Sequence, residues 1–194
     1  SGRNAGFLSG GQGLPYGLLL KRVGLENAKK IVGFYEGGVA YVERKLGQYG
    51  IDCDYNPTGT IRAGLLPSQE EQVRKTMQKG IDLGAPARFL DQAEMRARGI
   101  PPAFLFGYLT KSGGTLHPGK YVMGLRRAAL QAGVRIYENT ALLSYTEGQT
   151  IRCKTARGNA SAPFLVLATN AYTPQLGLLG RKTVPLRVSA IETE

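Results

Sequence analysis

Residues 117–137 read HPGKYVMGLRRAALQAGVRIY. The apolar positions Tyr121, Val122, Leu125, Ala129 and Ala132 recur at three- and four-residue steps, which gives a helix one apolar face. Pro118 suits the first helical turn, where its missing N–H is no loss, and Gly133 can supply the turn that ends the helix. A helix is predicted over 118–132 and a strand over 134–138. A helix feeding a strand in this way is the repeating unit of an α/β fold.

Downstream, TALLSYTEG and TIRCKTARG read as strands parted by a turn at Glu147 and Gly148. The apolar run from Phe164 to Ala168, within SAPFLVLATNAY, has the composition of a parallel strand covered on both faces. VPLRVSAIETE reads as a last strand. Upstream, LENAKKIVGFYEGGVAYVERKLGQYG places Ala28, Ile31, Val32, Tyr35, Val39, Val42 and Leu46 at helical spacing, with Gly37 and Gly38 as a weak point. TGTIRAGLL reads as a strand, SQEEQVRKTMQKGIDLG as a helix capped by Ser68, ARFLD as a short extended piece, and QAEMRARG as a short helix. AFLFGYLT is strand-like, so 56–66 and 103–110 suggest an antiparallel insert in a mixed α/β chain.

The composition, 42% hydrophobic and 20% charged over 194 residues, is that of an ordinary globular chain able to bury a core without disulfides. Cys53 and Cys153 have no metal-ligand spacing, so neither a zinc site nor a disulfide is expected. No apolar run approaches a membrane span and no charged leader precedes one, which makes the cytoplasm the expected location. The net charge of +11 is spread over single or paired basic residues such as Lys29-Lys30 and Arg126-Arg127. Without a basic run or an aromatic platform, nucleic acid is not the expected partner.

GTLHPGKY imitates a phosphate loop through Gly114, Gly119 and Lys120. Tyr121 stands where a magnesium-binding hydroxyl belongs, and Pro118 removes an N–H that such a loop uses, so the stretch reads as a strand-to-helix turn. His117, the only histidine, reads as a helix cap or a packing residue. The opening SGRNAGF differs. Ser1, Gly2, Ala5 and Gly6 let the backbone approach a ligand closely, and Arg3 and Asn4 offer charge and hydrogen bonds. Ala168, Thr169 and Asn170, at the end of the last apolar run, stand where α/β folds place ligands.

SGRNAGF, GGTLHPGKYVMGLRRAALQAGVRIYENTALL and FLVLATNAYTPQL together resemble the FAD-dependent amine and amino-acid oxidoreductases of the D-amino-acid oxidase superfamily, within it the gamma-glutamylputrescine oxidoreductase branch. The resemblance implies a partial Rossmann-like FAD-binding domain from 1–50 and 113–182. It also implies part of an antiparallel-sheet substrate domain from 51–112 and 183–194. It places Ser1, Gly2, Arg3, Asn4 and Gly6 along the flavin and its pyrophosphate, Ala141 and Leu142 at the adenine, and Ala168, Thr169 and Asn170 near the phosphates. The implied substrate is a small amine or amino acid, oxidised by hydride transfer to flavin. The family's opening strand–G-x-G-x-x-G–helix is not found among the 194 residues. An internal piece of a longer enzyme is therefore expected, with weakened FAD binding and exposed sheet edges that allow self-association. The alternative is an inert remnant that binds an acidic partner.

Overall fold

The computed structural model describes residues 4–11 and 13–182, and the predicted strand VPLRVSAIETE lies outside them. The chain divides into two compact units, residues 1–133 and 134–194.

The first unit begins with β1 (Phe7–Leu8) and α1 (Tyr16–Gln48). Leu19, Ala28, Val32, Val39 and Leu46 are the buried residues of α1, and from Ala28 onward they recur at spacings close to whole numbers of helical turns. The helix starts earlier than its apolar periodicity predicts. Gly24 leaves helical geometry at φ 73°, ψ 171°, so the element is two helices joined across a kink. Gly37 and Gly38 stay helical, and a Cβ on either would meet open space. Gly37→Ala and Gly38→Ala are each expected to stabilise the chain by roughly 0.5–1 kcal/mol, measured by denaturant unfolding. A loss of stability in both would contradict the exposed placement of that face.

β2 (Thr60–Gly64), α2 (Glu70–Asp82), β3 (Ala87–Leu90), α3 (Gln92–Ala97) and β4 (Phe106–Thr110) follow. The three strands form one antiparallel sheet in the order β2-β4-β3, as the expected antiparallel insert requires. Tyr108 lies opposite both Arg62 and Phe89 in the register. Alternation along the strands gives the sheet two working faces. On one, Phe89 and Phe106 stack at 6.1 Å and Arg74 of α2 lies over the Phe89 ring. On the other, Leu90 and Leu109 pack with Met95 of α3. Asp91 caps α3 by accepting the Glu94 N–H, and the Glu94 side chain returns to the Asp91 N–H. The Arg88 guanidinium beside Glu94 holds its carboxyl below the usual carboxylate range.

Ser68 does not cap α2. A 3-10 turn at Pro67–Gln69 precedes the helix, and Gln69 Oε1 accepts from the N–H groups of Leu65 and Leu66. The Gln69 side chain thus closes the 3-10 turn, and α2 itself starts without a side-chain cap. β5 (Gly114–Thr115) and α4 (Pro118–Gln131) complete the unit, with α4 close to its predicted limits. Gly124 of α4 is buried against Ile51, beside a small core of Leu46, Ile51 and Cys53.

The second unit holds β6 (Leu142–Thr146), β7 (Ile151–Thr155) and β8 (Gly158–Ala162), antiparallel in that order, and a 3-10 turn at Asn170–Leu176. The strand expected at 134–138 and the covered parallel strand expected at 164–168 are not formed. Phe164 and Val166 are instead 84% and 87% exposed. An apolar run becomes a strand only when a neighbour accepts its backbone hydrogen bonds, and no described strand lies beside either stretch.

Candidate functional site

The second sequence motif organises the first. Thr115 pairs with Phe7 of β1 on one side and bridges to Asn56 on the other, so β5 is the middle of a three-ribbon junction. Asn56 N–H donates to the Thr115 carbonyl at 2.8 Å and Thr115 N–H returns to the Asn56 carbonyl at 3.1 Å. Leu116 N–H donates to the Gly6 carbonyl at 2.8 Å, and His117 N–H to the Cys53 carbonyl at 2.7 Å. The opening loop and the stretch 53–59 are thereby held on opposite edges of residues 113–117.

Glycine makes this spacing possible. A Cβ on Gly113, at φ 75°, would run into the Leu8 carbonyl oxygen, and one on Gly114 into the Asn56 carbonyl oxygen. Gly6, at φ 71°, lies equally close to the Leu116 carbonyl. Asn4 Oδ1 accepts the Gly6 N–H at 2.9 Å, which closes the loop into a tight turn. Further on, the Glu36 carboxylate occupies the space beside Gly10.

Beyond the junction the chain turns into α4. His117 is the N-cap: its Nδ1 accepts the Lys120 N–H at 3.2 Å, and Pro118 takes the first helical position. The cap reading of the lone histidine and the strand-to-helix reading of GTLHPGKY both hold in the structure. Lys120, the lysine of the apparent phosphate loop, instead pairs with Asp54 at 2.6 Å.

Of the ten residues singled out from the sequence, Ser1, Gly2 and Arg3 lie outside the described residues. Asn4 and Gly6 belong to the first unit, in the pinned loop. Ala141, Leu142, Ala168, Thr169 and Asn170 belong to the second. Leu142 opens β6 and precedes a register shift against β7. Thr169 begins the 3-10 turn, its hydroxyl 2.8 Å from that of Thr173, and Asn170 adopts φ 48°, a left-handed geometry rare outside glycine. A cavity of about 600 Å³ is lined by residues of β6 and of this 3-10 turn, among them Leu143, Tyr145 and Gln175. What sequence reasoning missed was Asn56 and the β1–β5 pairing. The Gly113-Gly114 doublet was the available signal.

In the first unit a cavity of about 880 Å³ beside α4 is lined by Asp52, Lys120, Arg126 and Arg127. None of the ten residues lines it. Arg127 donates to the Gly50 carbonyl at 3.0 Å, so this cation and Lys120 hold the fold together. Among the described residues no helix is long and apolar enough to cross a membrane.

The described residues fit a flavin dinucleotide in part. Turns built on Gly6 and Asn170 suit close approach by a flat ring or a ribose. A diphosphate cradle is another matter: α4 starts on a proline and is capped by His117, so its first turn offers few free donors.

A family model described as FAD dependent oxidoreductase matches residues 1–194. Gamma-glutamylputrescine oxidoreductase of Escherichia coli (strain K12) is 26% identical over 205 residues, spanning 100% of this chain and 46% of that protein. Probable oxidoreductase OrdL of Rhizobium meliloti (strain 1021) is 30% identical over 179 residues, spanning 91% and 42%. Glycine oxidase from Geobacillus kaustophilus shares the fold at a TM-score of 0.67 and 19% identity, over 91% of this chain and 47% of its own. L-Amino acid deaminase from Proteus myxofaciens does so at 0.74 and 18%, over 95% and 40%. The chain thus spans about half the length of the curated relatives it matches. With the whole of its length matched by the family's pattern, the chain belongs to the FAD dependent oxidoreductase family.

Proposed function

We propose that residues 1–194 are part of an FAD-dependent enzyme, acting in the cytoplasm, that oxidises an amine or amino acid. The observation that supports this is the opening loop, held by Gly6 and β1 against β5 in a chain matched over its full length by the family. In this reading 1–50 and 113–182 serve the cofactor, and 51–112 and 183–194 the substrate. The chemistry FAD supplies when bound is acceptance of hydride from the carbon beside an amine nitrogen, leaving an imine that water hydrolyses.

The chain's own residues bind and orient. Ser1, Gly2, Arg3, Asn4 and Gly6 would lie along the flavin, where small side chains admit the ring and Arg3 meets negative charge. Ala141 and Leu142 would offer backbone groups to the adenine. Ala168, Thr169 and Asn170 would turn the chain beside the phosphates. The printed names of the relatives favour an amine or amino acid: a gamma-glutamylputrescine oxidoreductase, a glycine oxidase and an L-amino acid deaminase.

The test is amide exchange of the chain with and without excess FAD, followed by anaerobic addition of amines and amino acids. Protection is expected at 4–6, 141–142 and 168–170, with bleaching of the visible flavin bands by one substrate class. Protection confined to other residues would overturn the site. Bleaching by dithionite but by no amine or amino acid would overturn the activity.

A further inference from the structure

We propose that Glu36 and Arg62 hold the two charges of an α-amino-acid head group, so that, on the amine oxidation proposed above, the substrate carries this group as a handle apart from the nitrogen that reacts. The Glu36 carboxylate of α1 lies against Gly10, in the continuation of the opening loop. Arg62 of β2 stands opposite Tyr108 of β4, and residues opposed in an antiparallel pair share a face of the sheet. Tyr16, which opens α1, connects the two charges. Its ring packs against Gly80 of α2. Its phenol is raised above the ordinary value first by burial and then by Tyr108, with Arg62 opposing the rise and Glu36 adding to it. One cation and one anion thus act on a single half-buried hydroxyl, and every residue concerned belongs to the first unit.

Opposite charges near one another normally pair, yet among the described residues neither Glu36 nor Arg62 forms an ion pair. Basic residues outnumber acidic ones 25 to 14, so cations for a half-buried carboxylate are not scarce. Such a carboxylate bears a desolvation cost that a bound cation would offset. The Tyr108 hydroxyl is enclosed without a hydrogen-bond partner, and the guanidinium beside it opposes the rise that burial causes without closing a bond to it. A group that meets both charges at once has ammonium and carboxylate on one carbon. Its carboxylate suits the guanidinium fork of Arg62, and its ammonium suits Glu36. The nitrogen held in this way is not the one oxidised. Hydride leaves the carbon beside a nitrogen with a free lone pair, and a neighbouring carboxylate favours the protonated form, which has none.

The test needs no flavin, so its failure is separable from a failure of the redox reading. Tyrosine-ring NMR of the full chain is followed through titration with two probes. Nδ-acetyl-L-ornithine keeps the amino-acid head group, whereas Nα-acetyl-L-ornithine keeps the carboxylate but carries its only ammonium at the far end. The first should shift the Tyr16 and Tyr108 signals saturably and bind at least about tenfold tighter than the second. Glu36→Gln and Arg62→Gln should each weaken the first probe about tenfold or more, and Arg62→Lys should recover part of the loss by keeping the charge without the fork. Equal affinity for the two probes overturns the proposal, as does a titration that leaves both rings unshifted. An affinity that Glu36→Gln and Arg62→Gln leave unchanged also overturns it, because the head group is then held elsewhere.

Discussion

Gly113→Ala is expected to lower the stability of the first unit by roughly 2–5 kcal/mol. Two costs add at this residue. Its φ of 75° is left-handed, a region that costs an L-residue with a side chain about 1–2 kcal/mol. The new methyl group would also press on the Leu8 carbonyl oxygen, a backbone atom that cannot swing aside, and overpacking of this kind costs about 1–3 kcal/mol. Gly114→Ala meets the Asn56 carbonyl in the same way without the φ penalty, and should fall at the lower end. Gly10→Ala is the contrasting control. There the methyl meets the end of the flexible Glu36 side chain, which can move, so little change is expected. Against a total stability of about 5–15 kcal/mol the first loss is large. Denaturant unfolding measures it, and amide exchange should rise first at Leu116 and His117, whose N–H groups hold the junction together. A Gly113→Ala protein as stable as the parent would mean that the ribbons at 6–8, 53–59 and 113–117 are not packed as described.

The sequence was most legible where side-chain period and backbone pairing carried the same message. In α4 the apolar spacing, the first-turn proline and the terminal glycine all agree, and the helix lies close to where they put it. β2, β3 and β4 were legible because each has its partner within fifty residues and is short and bounded by turn residues. Residues 164–168 mark the limit of that method. Their composition records two faces that favour burial, yet a strand is a relation between two segments, and composition carries no register. Asn56 was hidden for the opposite reason: its contribution is made by backbone atoms, which every residue type possesses. The early half of α1 escaped because Gly17 and Gly24 interrupt the apolar rhythm that Leu19 and Leu20 would otherwise continue. His117 was readable as a cap because a helix that begins on proline needs its first free amide satisfied three residues after the cap, where the imidazole can reach.

FAD is expected to bind the purified 194-residue chain several decades more weakly than a dinucleotide fold with a complete glycine-rich phosphate turn would bind it. A diphosphate carries its charge on oxygens that must exchange water for N–H donors, and each charge-assisted hydrogen bond contributes about 1.5–3 kcal/mol. A G-x-G-x-x-G turn at a helix N-terminus supplies several such donors along with the helix dipole, and no G-x-G-x-x-G occurs in these residues. Losing three donors removes about 4.5–9 kcal/mol, or roughly three to six decades at about 1.4 kcal/mol per decade. The start of α4, beside the junction that holds the opening loop, does not compensate. α4 spends its first turn on His117 and Pro118, and the basic side chains beside it, Lys120 and Arg127, are held by Asp54 and the Gly50 carbonyl. What remains is the opening loop, with Arg3 as its one cation, and the turn at 168–170 proposed beside the phosphates, fewer donors than a complete glycine-rich turn supplies. Titration followed by the visible flavin bands should give a weak saturable signal, one that Gly113→Ala abolishes by loosening the loop. Nanomolar affinity would mean that the chain holds the diphosphate through donors outside the described residues or through a different surface, and the weight placed here on the glycine-rich turn would be wrong.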